Sequence, residues 1–259
     1  MASGAGEFDF SVRGGTRYEL RHTLRPPFEI LQVVIFNMAL VLAGWFILGP
    51  AVMEPEALAS LVFLPAVLAS WAFADVPTTN LYGSQPARAL AALGHPERLR
   101  NLIMSRDLVL WLLVAPATAI LSFALAFRDD DIVGSAAVAA VVIILPFGAL
   151  GLASIMAPLL PYHAIPLRER RQLRHTWFRW GCAVCIPYFL IGPSAVIILL
   201  PAIAIVEEFG RTTATWIACL LITTGWTVAV RWLSVAITLR LTHRRREWLT
   251  DYLQHPERG

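Results

Sequence analysis

The stretch Tyr82–Arg100, "YGSQPARALAALGHPERLR", lies between two strongly apolar runs of the chain. It is too polar to cross a membrane and too patterned to be a slack loop. Ser84 is a good N-cap and Pro86 is tolerated in a first helical turn. Ala87–Leu93 are strong helix formers, and Gly94 suits the position after a helix end. The spacing predicts about two turns of helix. Leu90 and Leu93 share one face with Ala87 and Ala91 nearby, and Arg88 points elsewhere. One reading is an interfacial helix that closes a loop. The other is a plug whose small apolar face fits a groove on a soluble partner, with the following apolar run carrying the push into the membrane.

The flanking runs decide what surrounds this helix. Of the 259 residues 57% are hydrophobic and 15% charged, less charge than a soluble domain carries. The apolar residues come in blocks of about twenty, enough to span a hydrocarbon core of roughly 30 Å. Six such runs are read: Ile30–Leu48, Ala57–Ala74, Leu108–Phe127, Ile132–Leu160, Gly181–Val206 and Thr213–Thr238. Pro146 and Pro158 in the fourth, and Pro187, Pro193 and Pro201 in the fifth, predict a kink, a tilt or a re-entrant turn. No pattern of short alternating segments suggests a membrane β-barrel.

The connections alternate in charge. Arg13, Arg17, Arg21 and Arg25 precede the first run; Arg88, Arg98, Arg100 and Arg106 follow the second. Arg168, Arg170, Arg171, Arg174 and Arg179 follow the fourth, and Arg240, Arg244, Arg245, Arg246 and Arg258 follow the sixth. The other connections are short and acidic: Glu54 and Glu56; Asp129, Asp130 and Asp131; Glu207 and Glu208. They hold only Arg128 and Arg211. This alternation places both termini in the cytoplasm. The fold expected is all-α, a polytopic membrane protein of six transmembrane helices. Residues 1–29 form a cytoplasmic segment, 30–240 the transmembrane domain with the short helix near 84–94, and 241–259 a cytoplasmic tail. Tyr18, Leu20 and Leu24 fall between the four-residue steps of Arg13, Arg17, Arg21 and Arg25. Thr16 onward is therefore read as an amphipathic helix lying at the membrane interface, ended by Pro26 and Pro27. Gly14 and Gly15 weaken its start. The N-terminal stretch MASGAGEFDFSVRGG has no apolar core of a cleavable signal peptide, and none is expected.

Other patterns narrow the chemistry. All 21 basic residues are arginine. Without lysine the chain can form neither a conventional P-loop ATP site nor a Schiff base. The net charge of +3 is assigned to anionic lipid rather than nucleic acid, because the arginines flank apolar runs. Cys182 and Cys185 form a C-x-x-C with no second pair at ligand spacing, and are read as helix packing. Asp129–Asp131 are read as a solvated turn. The histidines show no zinc spacing and there is no nucleophile motif, so neither a metal site nor an enzyme is expected. Arg231 lies inside the sixth run. It either snorkels to the headgroups or makes a substrate contact or inter-helix ion pair. Asn37 is read as inter-helix glue before a ligand. Trp71, Phe73, Thr223, Thr224 and Thr227 are candidates to line a path, with helix packing the plainer alternative.

The whole chain resembles the permease subunit of an ABC-2-type ABC exporter. "NLYG" at Asn80–Gly83 followed by a short helix is similar to the second connection of that family. "LLPYHAIP" at Leu159–Pro166 resembles its leucine-proline-tyrosine-proline exit, and the tail "RLTHRRREWLTDYL" is also similar. The resemblance implies six spans with both ends inside, an interfacial N-terminal helix and a coupling helix after the second span. It makes Ser84, Pro86, Arg88, Leu90, Leu93 and Gly94 the contact with a partner ATPase. It places Asn37, Trp71, Phe73, Thr223, Thr227 and Arg231 along a translocation path. It implies a second permease copy or paralogue, ATP and Mg on the ATPase and none on this chain, and a plasma-membrane location. Relatives often fuse two halves; this chain has one. The apolar spans suggest an amphipathic or lipid-like cargo. Two other readings stand beside it: a membrane-embedded lipid-modifying enzyme, and a non-transporting scaffold that recruits a cytosolic partner.

Overall fold

The helix Ile132–Leu159 holds no charged side chain and is rich in Ala and Gly, and the rest of the molecule is arranged around it. The computed structural model describes residues 8–26, 28–52, 64, 66–73, 76–126, 132–163 and 177–255. In chain order the helices are α1 (Val12–Thr23), α2 (Glu29–Val52), α3 (Val76–Thr79), α4 (Leu81–Ser84) and α5 (Pro86–Leu93). These are followed by α6 (Pro96–Ala126), α7 (Ile132–Leu159), α8 (Trp177–Phe209), α9 (Thr213–Arg244) and α10 (Arg246–Gln254). Residues 66–71 are also helical, and the described residues contain no strand.

Stretches of α6 (Pro96–Ala124, 29 residues), α7 (28 residues) and α9 (32 residues) are long and apolar enough to cross a membrane. At 1.5 Å per residue each exceeds a hydrocarbon core of about 30 Å. Glu29–Gly44 and Trp177–Ile191 are shorter apolar stretches within α2 and α8. Large apolar side chains face outward along these helices, among them Phe46, Ile120, Phe189 and Trp232, as a lipid-facing surface requires. The described elements are all helical, and three of them have the length and composition of membrane-spanning helices. Half of the second apolar run, the acidic connections at Glu54, Glu56 and Asp129–Asp131, and Arg168–Arg174 lie outside the described residues.

α7 packs against α6, α8 and α9. Its seam with α9 is set by close approach. A Cβ on Gly148 would lie 3.3 Å from Thr227 Cγ2, and one on Gly151 would lie 3.1 Å from the Arg231 Cα. Small residues let two helices come this near, and dispersion replaces the hydrophobic effect that lipid does not provide. Farther along, Ser154 Oγ and Thr238 Oγ1 meet at 3.1 Å. A second cluster joins α2 (Ile30, Val34), α6 (Leu110, Val114), α7 (Ala149, Leu150, Ala153) and Ile191 of α8 around Phe73.

Several expectations are corrected. α1 starts at Val12, before the glycine pair: the Ser11 hydroxyl accepts from the Gly14 amide at 3.0 Å and offsets the glycine cost. Asp9 accepts from the Ser11 amide at 2.8 Å, and its bonds with Ser11 hold its carboxyl below the usual range. α6 starts at Pro96, so Arg98, Arg100 and Arg106 sit on its first turns and not in a loop. Proline at its first position and Glu97 in its first turn both favour that start. α8 stays helical through Pro187, Pro193 and Pro201, without a re-entrant turn. The last apolar helix runs on to Arg244, and the tail forms its own helix, α10.

Candidate functional site

Asn80–Gly83, the residues from Leu159 to His163 and the arginine-rich tail meet at one end of the bundle. Asn80 caps α4: its Oδ1 accepts from the Gly83 amide at 3.2 Å. The same Oδ1 accepts from the Tyr162 amide at 3.1 Å, and Asn80 Nδ2 donates to the Tyr162 carbonyl at 2.6 Å. One side-chain amide thus holds both backbone polar groups of a residue 82 positions away. The strands of chain are pressed together at Gly83, where an added Cβ would stand 1.8 Å from the Tyr162 carbonyl oxygen.

The end of α9 and α10 lock onto the same place. Thr242 Oγ1 donates to the Thr238 carbonyl at 2.8 Å, so the buried Tyr82 hydroxyl, 2.8 Å away, is the donor between them. Burial pushes the Tyr82 phenol above its ordinary range. Arg245 Nη1 donates to the carbonyls of Pro158 (2.6 Å) and Leu159 (3.2 Å), satisfying the open end of α7. His163 Nε2 donates to the Tyr252 carbonyl at 2.8 Å and its ring stacks on Tyr252. The Arg179 guanidinium lies 4.3 Å from the Tyr252 ring centroid, and that of Arg245 lies 4.1 Å from the Trp248 ring.

α5 is seated within this assembly. Its buried face is Arg88, Ala89, Ala92 and Leu93, packed with Leu99, Leu102 and Ile103 of α6 and with Leu249 and Leu253 of α10. Leu90 packs against the same cluster. This corrects the expected plug: Leu93 is buried within the chain and Leu90 is half-buried against the same cluster, so the pair does not form a free apolar face. Arg88 is also buried. Ser84 is not the cap; it ends α4, and Gln85 takes the N-cap position without a side-chain bond. Pro86 opens the helix as expected, while Gly94 keeps a right-handed conformation (φ −82°). The outward face is Ala87 and Gly94, with Ala91 half-buried and His95 beyond the end.

Arg88 is drawn in by Glu19, a residue that the sequence reading passed over. Glu19 is fully buried and accepts from Arg88 Nη1 at 2.7 Å, Gln85 Nε2 at 3.0 Å and Arg106 Nη1 at 3.1 Å. The Arg88 guanidinium also lies 4.7 Å from the Tyr18 ring centroid. One carboxylate therefore ties α1, α5 and the first turns of α6 together. The buried side of α1 is Gly15, Glu19 and Thr23, while Arg13, Arg17, Arg21, Arg25, Tyr18, Leu20 and Leu24 are exposed. The available signal was that Glu19 is the sole acid of α1, in step with Gly15 and Thr23.

The residues expected along a path divide differently. Arg231 pairs with Asp107 of α6 at 2.5 Å, so the ion-pair alternative holds for Arg231. Asn37 accepts from the Tyr188 hydroxyl at 2.8 Å, joining α2 to α8 as inter-helix glue. Phe73, Thr223 and Thr227 are fully buried and Trp71 is half-buried among packed helices. Phe73, Thr223 and Thr227 open onto no surface of this chain. Cys182 is half-buried and Cys185 exposed, both as free thiols. Among the described residues no group of His, Cys, Asp and Glu is placed to hold a metal.

Removing one partner of the Asp107–Arg231 pair leaves a poorly solvated charge, so Asp107→Leu is expected to cost about 1–3 kcal/mol. Asp107→Leu combined with Arg231→Met is expected to recover at least half of that loss. Melting in detergent measures both, and additive losses would contradict the pair.

No protein-family model, no curated protein and no solved structure matches this chain.

Proposed function

We propose that the chain is one permease half of an ATP-driven exporter of the ABC-2 type, with six spans and both termini in the cytoplasm. It works in the plasma membrane with a second permease copy or paralogue and with a separate ATPase that holds ATP and Mg. The cargo is amphipathic or lipid-like, carried along the interface between the two halves.

The observation that carries this reading is the setting of α5. A two-turn helix stands at the foot of α6, its inner face fixed by apolar contacts with α6 and α10 and its Arg88 fixed by Glu19. Force applied to α5 reaches α6 without a slack joint between them. α1 and α10 move with it, because they share the same ion pairs and apolar cluster. ATP binding closes the ATPase pair, α5 follows, and α6 transmits the shift into the membrane. The contact with the ATPase is made by the outward stripe of Ala87, Ala91, Gly94 and His95. A stripe of small residues admits close approach to a groove wall, the helix-in-groove mode. The energy comes from the partner, since a chain without lysine has no P-loop.

The test is co-purification from the native membrane in mild detergent, with proteins identified by mass spectrometry. The wild type is expected to bring down an ATPase bearing a P-loop. Ala87→Arg combined with Ala91→Arg is expected to lose it while the chain keeps its melting temperature. An ATPase retained equally by the variant, or none with the wild type, would refute the reading.

A further inference from the structure

Arg17, Arg21 and Arg25 recur at four-residue steps, so they stand in one row along α1 and the turn after it. None of the three has an ion pair among the described residues; Glu19 is turned to the opposite side. Like charges at this spacing repel and weaken the helix unless an anion lies between them. The row borders a cleft of about 440 Å³ between α1 and the N-terminal segment, with His22 and Tyr18 also on its wall. That volume falls within the ~300–1,000 Å³ of small-ligand clefts. Arg88 also reaches the cleft from α5, where it is held by its ion pair with Glu19. Among the described residues Asp9 is the only acid on the wall, and its carboxylate is turned to the Ser11 amide.

We propose that this cleft binds the phosphate headgroup of an anionic membrane lipid. Three arginines supply charge-assisted donors to phosphate oxygens, and the guanidinium fork matches that geometry. Neighbouring surface selects a lipid over a free phosphate. Tyr18 on α1 and Leu24 just after it are exposed, as are Phe28 ahead of α2 and Ile35 and Phe36 in its second turn. A headgroup in the cleft leaves its acyl chains beside that surface. The site is independent of the exporter reading, since it requires only that α1 lie at the membrane interface.

The experiment uses the full chain, purified and delipidated in a neutral detergent, and titrated while native mass spectrometry counts bound molecules. The probes are short-chain phosphatidylglycerol, short-chain phosphatidylcholine and inorganic phosphate. Phosphatidylglycerol is expected to bind, and R17Q/R21Q/R25Q to weaken it at least about tenfold, taking roughly 1 kcal/mol for each arginine near a headgroup. Arg21→Gln alone is expected to weaken it severalfold. R100Q/R244Q, which removes two exposed arginines that are neither on α1 nor on the cleft wall, is expected to leave it unchanged. Equal binding of phosphatidylcholine, or equal loss in R100Q/R244Q, would overturn the site. Inorganic phosphate binding as tightly as the lipid would overturn the lipid as its occupant.

Discussion

Gly83→Ala is expected to cost about 3 kcal/mol or more, at or above the usual range for overpacking. The added carbon would stand 1.8 Å from the Tyr162 carbonyl oxygen, and the obstacle is backbone that cannot rotate away. Either α4 or the segment after α7 must move. Both are held by Asn80, so a shift there loses its bonds to Tyr162 as well. The same shift pulls Tyr82 from Thr242 and loosens α5 from its cluster. Melting in detergent reads the effect. A change within about 0.5 kcal/mol, the range of an ordinary surface substitution, would show that the two segments are not in contact.

Glu19→Ala is expected to cost about 3–5 kcal/mol, because two buried arginines then face each other without a counter-charge. Arg88 and Arg106 are each only 2% exposed, so water screens them little. Glu19→Gln keeps one acceptor oxygen but sets an NH2 donor against the other arginine, so it is expected to recover only part of that loss. α1 should come off the bundle in both cases. Trypsin reports this directly, since its sites on α1 are exposed arginines that a docked helix protects by its rigidity. Cleavage within residues 12–25 is expected to speed up at least about tenfold in Glu19→Ala, as the ion pairs that hold the helix are worth more than about 1.4 kcal/mol. Unchanged cleavage would mean that the apolar neighbours, not the carboxylate, hold α1.

The long helices α6, α7 and α9 were legible in the sequence as apolar runs, because length and apolar content decide them. Ile132–Leu160 matches α7 to within a residue, since a chargeless apolar run has little other choice in lipid. The starts of α1 and α6 were missed for local reasons. A pair of glycines hid a helix that Ser11 caps, and the polar residues after Gly94 concealed a helix that continues from membrane to surface. The site was legible as an address and not as a mechanism of attachment. "NLYG", "LLPYHAIP" and the arginine-rich tail were each recognisable, but only the fold brings Asn80 to Tyr162 and Arg245 to Pro158. Leu90 and Leu93 made a plausible exposed face because a two-turn helix alone cannot say which side its neighbours cover. Glu19 and Asp107 were overlooked because a single acid among arginines has no motif. Their partners lie 69 and 124 positions away along the chain.

The most direct test of the exporter reading places a photoreactive phenylalanine analogue at Ala87 and irradiates it in the native membrane. The same analogue at Ile120, an exposed apolar position of α6, serves as the control. The account predicts a crosslink from position 87 to an ATPase that carries a P-loop, and crosslinks from position 120 to lipid or to membrane helices. Crosslinks from position 87 to lipid alone would contradict it.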